Sequence, residues 1–328
     1  MRIGTSGCLE PISDDTEWDE LVSSSIEASP FLMSSFLRSI KQESSRFVLS
    51  EAGEAVIGTC IFNSFESNPE NPYAFCLYQG VFFPHLTLKN YSDENERLRR
   101  LKRMIECLDS KAERIHLSFH PKVNDLRAIE WFYYEAHNSN LVPNIKSRYT
   151  GLIEIEKFAS FDEYLKSIRK ERLREYKKSL ETQYKVDLHS SDLENFLNLY
   201  DLTFGRKGQT VSDELLNRVK SIISAGLTDG SGNLKMLYSE DGEPVSGAYI
   251  LSDKGTDVYL FGANNTTYRD SYGSTRIILD SLKETFQESK KIFDFCGMNS
   301  PLRGEFKSSF NARTTPYFEL DLNVRKGI

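Results

Sequence analysis

The spacing of apolar and polar residues predicts alternating strands and helices in both halves of the chain. Residues 50–62 and 239–251 each read as an apolar strand, a turn containing glycine and a second β-rich segment, which is typical of a β-hairpin. After each hairpin the same four elements follow in the order strand, helix, strand, helix. They are predicted near residues 73–78, 94–109, 114–119 and 125–136, and again near residues 258–262, 274–288, 292–295 and 303–310. The pattern indicates an α/β protein.

The two predicted hairpins also match each other in sequence. Seven of thirteen aligned positions are identical, at a separation of 189 residues. A chance similarity of two hairpins is the alternative, but the repeated order of elements favours duplication. A chain of 328 residues also exceeds the usual size of one core. We therefore predict two α/β domains of the same design, each a mixed sheet flanked by helices, over residues 1–148 and 149–328.

A further helix is predicted between the two halves. Ser160 and Glu163 have the spacing of a capping box, and the helix is expected to continue to about Thr182. Arg172 falls within the apolar stripe of this helix. An arginine among apolar neighbours is costly to bury unless an anion or a carboxylate accepts its hydrogen bonds. Arg172 is therefore expected to face a cleft between the domains, or else to form a structural salt bridge to the other domain or to reach solvent along its apolar stem.

Composition excludes several classes of protein. The net charge of −7 argues against broad affinity for DNA or for an anionic membrane. No apolar run approaches the roughly 18 residues needed to span a bilayer, and the first ten residues lack a signal-peptide pattern, so we expect a cytoplasmic protein. The five cysteines are scattered and the histidines are not clustered with them, so reduced thiols and no metal site are expected.

One segment of the second half is suited to binding an acyl donor. Residues 268–274 follow a predicted strand and open a helix, where backbone N–H groups and the helix dipole can hold a phosphate. Arg269, Gly273 and Ser274 are the candidate donor-binding residues. A glycine-containing helix entry without any ligand is the structural alternative.

A second segment, residues 292–310, carries the candidate catalytic residues. Strand alternation places Asp294 on the face opposite to Phe293 and Phe295, while Arg303 and Lys307 share a face of the following helix. Asp294 could position or deprotonate an amine, and Lys307 could stabilise the oxyanion that forms when an amine attacks an acyl carbonyl. A salt bridge that only holds the loop is the structural alternative.

These segments resemble a known family. The matching pieces are Arg148-Tyr-Thr150, Arg169-Lys-Glu-Arg172, Thr203-Phe-Gly-Arg-Lys-Gly208, Tyr259-Leu-Phe-Gly-Ala-Asn264, and Phe293-Asp-Phe-x-Gly297 followed by Arg303-Gly-x-Phe-Lys307. They are similar to motifs of the FemAB-like proteins, which are built from two copies of the GNAT fold and include peptidoglycan-bridge aminoacyltransferases and acyltransferases of polysaccharide gene clusters. The last motif is the most specific.

The resemblance implies transfer of an acyl or aminoacyl group to an amine in a cleft near the domain junction. The implied donor is acyl-coenzyme A, an acyl carrier protein or an aminoacyl-tRNA. The residues implied to contact the substrate are Arg148, Arg172, Arg206, Lys207, Tyr268 and Arg303. The coenzyme A loop is degenerate and no coiled-coil arm is evident, which favours a sugar-linked or nucleotide-linked acceptor.

The sequence thus predicts an N-acyltransferase of cell-surface glycan or peptidoglycan assembly, with a nucleotide-sugar or another small molecule as acceptor. One alternative is a peptidyltransferase of the peptidoglycan-bridge type that uses aminoacyl-tRNA. Another is a non-catalytic module that binds a nucleotide-sugar or a partner protein. The sequence does not predict an oligomeric state.

Overall fold

The computed structural model describes residues 8–41, 44–62, 77–109, 114–135, 141–205 and 211–324. These residues form two compact units. The first unit comprises three segments of the described chain: the residues up to Arg38, the residues from Ser44 to Arg148, and the residues from Pro316 onwards. The second unit comprises Ser39–Lys41 and Tyr149–Thr315. Arg148 belongs to the first unit and Tyr149 to the second, and the residues from Pro316 onwards return to the first unit. The division of the chain into domains at residues 148 and 149 remains a prediction.

Among its described residues, the first unit contains a three-stranded antiparallel sheet, three neighbouring strands of a second sheet and four helices. Its elements are β1 (Glu10–Pro11), α1 (Asp15–Ser23), α2 (Ser34–Ser39), β2 (Ser44–Glu51), β3 (Glu54–Phe62), α3 (Tyr91–Asp109), β4 (Arg114–Ser118), α4 (Arg127–Glu135) and part of β5 (Leu141–Glu154), with a 3-10 turn at Pro30–Leu32. The core lies where α3 and α4 cover the strands, and it contains Leu101, Met104, Ile105 and Ile115, all almost fully buried. The predicted strand near residues 73–78 falls mostly outside the described residues.

The second unit is built on a mixed sheet. Its strands are the end of β5, then β6 (Lys185–Asp187), β7 (Gly232–Tyr238), β8 (Pro244–Ser252), β9 (Thr256–Asn264) and β10 (Ile292–Asp294). In space they follow the order β5-β10-β9-β8-β7-β6, in which only β10 and β9 are parallel. β11 (Arg313–Val324) begins in this unit and ends in the first.

Helices cover both faces of this sheet. They are α5 (Phe161–Ser167), α6 (Lys170–Glu181), α7 (Leu193–Gly205), α8 (Asp213–Asp229), α9 (Gly273–Gln287) and α10 (Pro301–Ser308), with 3-10 turns at Ile155–Lys157 and Thr266–Ser271. Neighbouring residues of β8 point to opposite faces. Tyr249 reaches α8, where its hydroxyl donates to the Ile222 carbonyl, while Ile250 packs in the cluster that contains Ile277 of α9.

Both predicted hairpins are present and are built alike. β2 pairs with β3 and β7 pairs with β8, and each pair has a register shift immediately before its turn. Gly53 has φ of 88° and Gly242 has φ of 83°, a conformation that glycine adopts without a steric penalty. The described helices and strands that follow the hairpins confirm the predicted order, with ends that differ by a few residues.

The helix predicted from Ser160 to about Thr182 is wrong in one respect, because it is two helices. Ile168 and Arg169 are extended, with ψ of 162° and 132°, and the Arg169 N–H donates to the Ser309 carbonyl at 3.0 Å. The predicted N-terminal cap is present. Ser160 Oγ accepts from the Glu163 N–H at 3.2 Å, and Glu163 accepts from the Ala159 N–H at 2.7 Å. The break gives α6 a direction of its own.

Candidate functional site

The second unit contains a cavity of about 580 Å³ beside the end of β9 and the start of α9. Helices α6, α7 and α10 supply the remaining walls. Seven aromatic side chains line it: Tyr200, Phe204, Tyr259, Phe261, Tyr268, Tyr272 and Phe306. Burial raises the pKa of both Tyr200 and Tyr259 to about 12, so these two phenols stay neutral at physiological pH. A cavity of this size and character suits a small organic ligand.

Charged side chains also line the cavity: the cations Arg172, Arg303 and Lys307 and the carboxylates Glu175 and Asp270. Six residues predicted for substrate, donor or catalysis therefore share one cavity, namely Arg172, Tyr268, Gly273, Ser274, Arg303 and Lys307. Every described residue that lines it belongs to the second unit. The groove was expected near the junction of two domains, and the structure builds this cavity from a single unit instead.

The N-terminus of α9 opens onto the cavity. Gly273, Ser274 and Thr275 form its first turn and line the wall, and their backbone N–H groups have no partners within the helix. Tyr272 precedes them with φ of 60° and gives no side-chain cap. A Cβ at Gly273 would lie 2.9 Å from Val245 Cγ1, so glycine lets the helix start close to β8. These N–H groups and the helix dipole favour an anion.

The side chain of Arg269 lies outside the described residues, as do Arg206 and Lys207 entirely. The predicted roles of these three residues remain predictions. The backbone of Arg269 belongs to the 3-10 turn Thr266–Ser271 that leads into α9.

Arg172 lies on the cavity wall with its charge paired. Its Nη1 donates to the Glu175 carboxylate and, at 3.1 Å, to Thr275 Oγ1. The guanidinium carbon lies 5.2 Å from the ring centre of Phe306, a distance typical of a cation–π contact. Arg172 thus lines a ligand-sized cavity and forms a salt bridge, both within the second unit, whereas the sequence predicted a cleft between the domains or a salt bridge to the other domain.

Lys307 is held by the loop that follows β10. Its Nζ donates to the Phe295 carbonyl at 2.6 Å and to the Gly297 carbonyl at 3.0 Å, with the Cys296 carbonyl at 3.5 Å. Burial lowers the pKa of Lys307 to about 8. A Cβ at Gly304 would lie 2.5 Å from the Met298 carbonyl oxygen, so glycine lets α10 approach this loop. The Arg303-Gly-x-Phe-Lys307 motif thus sets the position of the lysine.

Arg303 is exposed beside Lys307. Its guanidinium carbon lies 5.4 Å from the Phe204 ring centre, and no carboxylate among the described residues pairs with it. This cation is therefore available to an anionic ligand.

Asp294, predicted to act on the amine, does not line the cavity. It is buried at the end of β10, where Oδ1 accepts from Thr150 Oγ1 and, at 2.7 Å, from the Cys296 N–H. Cys296 has φ of 54°, so the carboxylate holds a turn in the left-handed region. Strand alternation predicts the face of the strand on which Asp294 lies. It does not predict that the following turn, at Cys296, covers the carboxylate and separates it from the cavity.

Arg148, predicted to contact the substrate, also lies elsewhere. It belongs to the first unit, where its Nε is 3.1 Å from Glu319 Oε2. It is not among the residues that line the cavity.

Several polar residues of the cavity were not predicted as site residues, and Glu175 and Asn264 are two of them. Glu175 follows Arg172 by three positions on α6, a spacing that pairs opposite charges on a helix. Asn264 ends β9, and its Oδ1 accepts from Ser246 Oγ at 2.7 Å and from Ser274 Oγ at 2.5 Å. The helical spacing could have indicated Glu175, whereas the network of Asn264 joins three distant segments and has no local signal.

The described residues lack two further features, a metal site and a membrane-spanning helix. Within them, no group of histidine, cysteine, aspartate or glutamate side chains is arranged to hold a metal ion. No helix in the described ranges is both long enough and apolar enough to cross a membrane.

Residues 164–308 match the family model described as an acetyltransferase (GNAT) domain. The matched range includes every described residue that lines the cavity. No curated protein sequence matches the chain.

Solved structures match almost the entire chain at low sequence identity. FemX is 15% identical with a TM-score of 0.68, and the match covers 94% of this chain and 96% of FemX. L-PGS from Bacillus licheniformis is 11% identical with a TM-score of 0.54, covering 100% and 96%. A tandem GNAT protein from the clavulanic acid biosynthesis pathway is 7% identical with a TM-score of 0.53, covering 98% and 99%.

These likenesses confirm the predicted fold class, a mixed-sheet α/β protein of tandem GNAT type. The GNAT domain match adds the activity class to that fold. Residues 164–308 thus match an acetyltransferase (GNAT) domain, and the chain as a whole has the fold of FemX and of the tandem GNAT protein.

Proposed function

We propose that this acyltransferase forms an amide on the amino group of a sugar-linked or nucleotide-linked precursor during assembly of a cell-surface glycan or of peptidoglycan. The observation that carries the proposal is the shared cavity, in which Lys307 and the N-terminus of α9 lie with two arginines and an aromatic wall. The fold likeness to FemX is consistent with this setting.

The cavity offers groups for each requirement of the reaction. Amide formation needs fixed positive charge where the carbonyl oxygen becomes an oxyanion, and the Lys307 ammonium meets this need. Two short bonds to the Phe295 and Gly297 carbonyls fix the ammonium and leave its third, weakly engaged N–H for the substrate. Positioning of this kind contributes to the rate because reorganisation is avoided during the reaction.

The remaining groups suit an anionic, ring-containing substrate. The Arg303 guanidinium pairs with no carboxylate of the described residues, and its shape suits phosphate oxygens. Tyr259, Phe261 and Tyr268 can stack against a nucleobase or a sugar ring. The N–H groups of Gly273 and Ser274 suit a phosphate of the donor. Coenzyme A therefore fits these residues, and it would supply an activated acyl thioester.

The donor is tested by direct comparison. Purified full-length protein is incubated with acetyl-coenzyme A, with an acylated carrier protein or with alanyl-tRNA, each with a panel of nucleotide-linked amino sugars. Products are identified by mass spectrometry. We expect an amide product with one donor class, and a loss of at least about tenfold in kcat/KM in Arg303→Ala if this arginine binds phosphate. Arg127→Ala, an exposed arginine of the first unit, is the matched control and should keep full activity.

The outcomes separate the remaining candidates. Amide formation from alanyl-tRNA alone would identify a peptidyltransferase of the peptidoglycan-bridge type. Saturable binding of a nucleotide-sugar without transfer from any donor would contradict the proposal and favour a binding module.

A further inference from the structure

The proton of the attacking amine needs an acceptor, and the residue predicted for this role is outside the cavity. An amine that attacks a carbonyl carries an extra proton in the tetrahedral intermediate, and a nearby base removes it. The Asp294 carboxylate accepts a hydrogen bond from the Cys296 N–H in the loop after β10, and Asp294 does not line the cavity. Two carboxylates do line it, Glu175 and Asp270.

Glu175 is the carboxylate whose position is fixed. Its Oε2 accepts from Arg172 Nη1 and, at 2.6 Å, from Thr275 Oγ1. Thr275 is almost fully buried in the first turn of α9, and the Glu175 side chain is only 13% exposed. Donors from two different helices therefore hold one oxygen of this carboxylate and set its orientation.

The other oxygen of Glu175 remains available. Oε1 accepts no hydrogen bond from any described residue, and it is not among the buried polar atoms that lack a partner. It is therefore accessible, and Glu175 lines the cavity. A carboxylate held through one oxygen and open at the other can receive an N–H from a ligand.

Asp270 lacks this support. It is exposed in the 3-10 turn before α9, and no hydrogen bond from a described residue holds its carboxylate. A proton acceptor must lie within hydrogen-bond reach of the nitrogen in a fixed geometry. Of the two carboxylates, Glu175 meets this condition.

We propose that Glu175 is a catalytic residue that binds the acceptor amine through Oε1 and removes its proton. This step depends on the proposed amide-forming function. The amine nitrogen bonds to the acyl carbon as the C=O π pair moves to oxygen. Glu175 then takes one proton from the resulting ammonium. The bond to the leaving group breaks as the carbonyl re-forms, and the leaving group takes the proton from Glu175.

Arg172 gains a defined role from the same arrangement. Through Nη1 it holds Oε2 and, at 3.1 Å, contacts Thr275. It thus positions the base, in addition to any contact with the substrate. Acyl transfer would then use Glu175 on one wall of the cavity and Lys307 on another.

The test compares Glu175→Gln with Glu171→Gln under single-turnover and steady-state conditions. Gln keeps the size of the side chain and an acceptor for Thr275 but removes the basic carboxylate. We expect Glu175→Gln to lower kcat on the order of 10²-fold or more, with little change in KM for the donor. Glu171 is on the same helix and lies 3.8 Å from Arg172 Nη2, but it does not line the cavity, so Glu171→Gln should keep full activity.

A second variant separates loss of the base from loss of structure. In Glu175→Ala, added formate can occupy the vacated space and is expected to raise kcat, whereas Glu175→Gln, in which the space stays filled, should not respond. Wild-type kcat in Glu175→Gln, or the absence of any formate response in a folded Glu175→Ala, would overturn the assignment. Such results with an active wild-type enzyme leave the proposed function intact, whereas a wild type that acylates no amine overturns both.

Discussion

Lys307 combines a buried ammonium with a pKa near physiological pH. Burial lowers that pKa from the ordinary 10.5 to about 8, so the residue is charged below about pH 8 and neutral above it. A neutral amine at this position would no longer stabilise an oxyanion. The charge of Lys307, which was predicted to stabilise the oxyanion, therefore depends on the pH of the assay.

We therefore expect the activity to decline as the pH rises through about 8. An amine acceptor gains nucleophilicity as it loses its proton, so the full profile should be bell-shaped, with Lys307 responsible for the alkaline side. Arginine stays protonated across this range, so Lys307→Arg should move the alkaline decline to higher pH even if its maximal kcat is lower. The measurement is kcat against pH from 6 to 10 for each enzyme.

The control for this prediction is an exposed lysine. Lys220 pairs with Glu194 on the surface of α8, so Lys220→Arg should reproduce the wild-type profile. An alkaline decline that stays at the same pH in Lys307→Arg would show that another group causes it.

At the scale of single residues, three predicted cations line the cavity, whereas Glu175 was not predicted. Arg172 was predicted because its charge falls among apolar neighbours, and Arg303 and Lys307 because they share a face of one helix and match the family motif. Asp294 was predicted from strand alternation, which gives the face of a side chain but not whether the next loop covers it. In the sequence, Glu175 is one of several charged residues of α6. Its orientation depends on a hydrogen bond from Thr275, which lies 100 residues later in the chain.

At the scale of elements, the packing of α8 on the sheet depends on two glycines. A Cβ at Gly226 or at Gly232 would lie 2.0 Å from the Tyr249 hydroxyl. Gly226 is in the middle of α8 and Gly232 begins β7, so both elements leave space for a tyrosine from β8. The hydroxyl is buried and donates to the Ile222 carbonyl at 3.4 Å.

This arrangement predicts a rescue. Gly226→Ala should lower the free energy of unfolding by about 1–3 kcal/mol, because its methyl group overlaps the Tyr249 hydroxyl. In a Tyr249→Phe background the same substitution should cost much less, since the remaining close contacts are backbone atoms of Gly232 at 3.2 Å. Urea unfolding of the four proteins in this double-mutant cycle measures the coupling.

Gly205 provides the matched control at the end of α7. A Cβ there would meet no atom of a described residue within 4 Å, so Gly205→Ala should be neutral or slightly stabilising. Equal destabilisation by Gly226→Ala in the two backgrounds would mean that the hydroxyl contact is not the cause.

The helices and strands also show where local sequence patterns do not predict the structure. The hairpins and α9 follow from apolar spacing and turn residues, and the structure has them. The interruption at Ile168 and Arg169 contains neither glycine nor proline, and it depends on a hydrogen bond to Ser309, 140 residues later. A tertiary contact overrides a local helical preference here, and no local reading of the sequence contains that information.

At the scale of the whole molecule, the two units are not two consecutive parts of the chain. The first unit includes residues before Tyr149 and again the residues from Pro316 onwards. The repeat of two hairpins predicts a change of domain near residue 148, but it contains no information about the strand that completes the first unit, which includes the residues from Pro316 onwards. Residues 319–323 of β11 pair with β4 of the first unit, and Leu320 and Leu322 are fully buried in the core that contains Ile115 and Leu117. The last strand is therefore a structural part of the first unit.

A chain that ends at Thr315 should consequently lose the fold of its first unit. The truncation removes the strand that pairs with β4 and two buried leucines, each of which contributes about 2–5 kcal/mol. Domains are typically stable by only about 5–15 kcal/mol, so this loss approaches the total. Hydrogen exchange should show a large loss of protection in α3 and β4, far from the cut in sequence, and a smaller one in β7 and β8.

A chain that ends at Val324 is the control, since it retains all of β11 and should exchange like the full-length protein. Retained protection of α3 in the shorter chain would show that the first unit folds without its last strand.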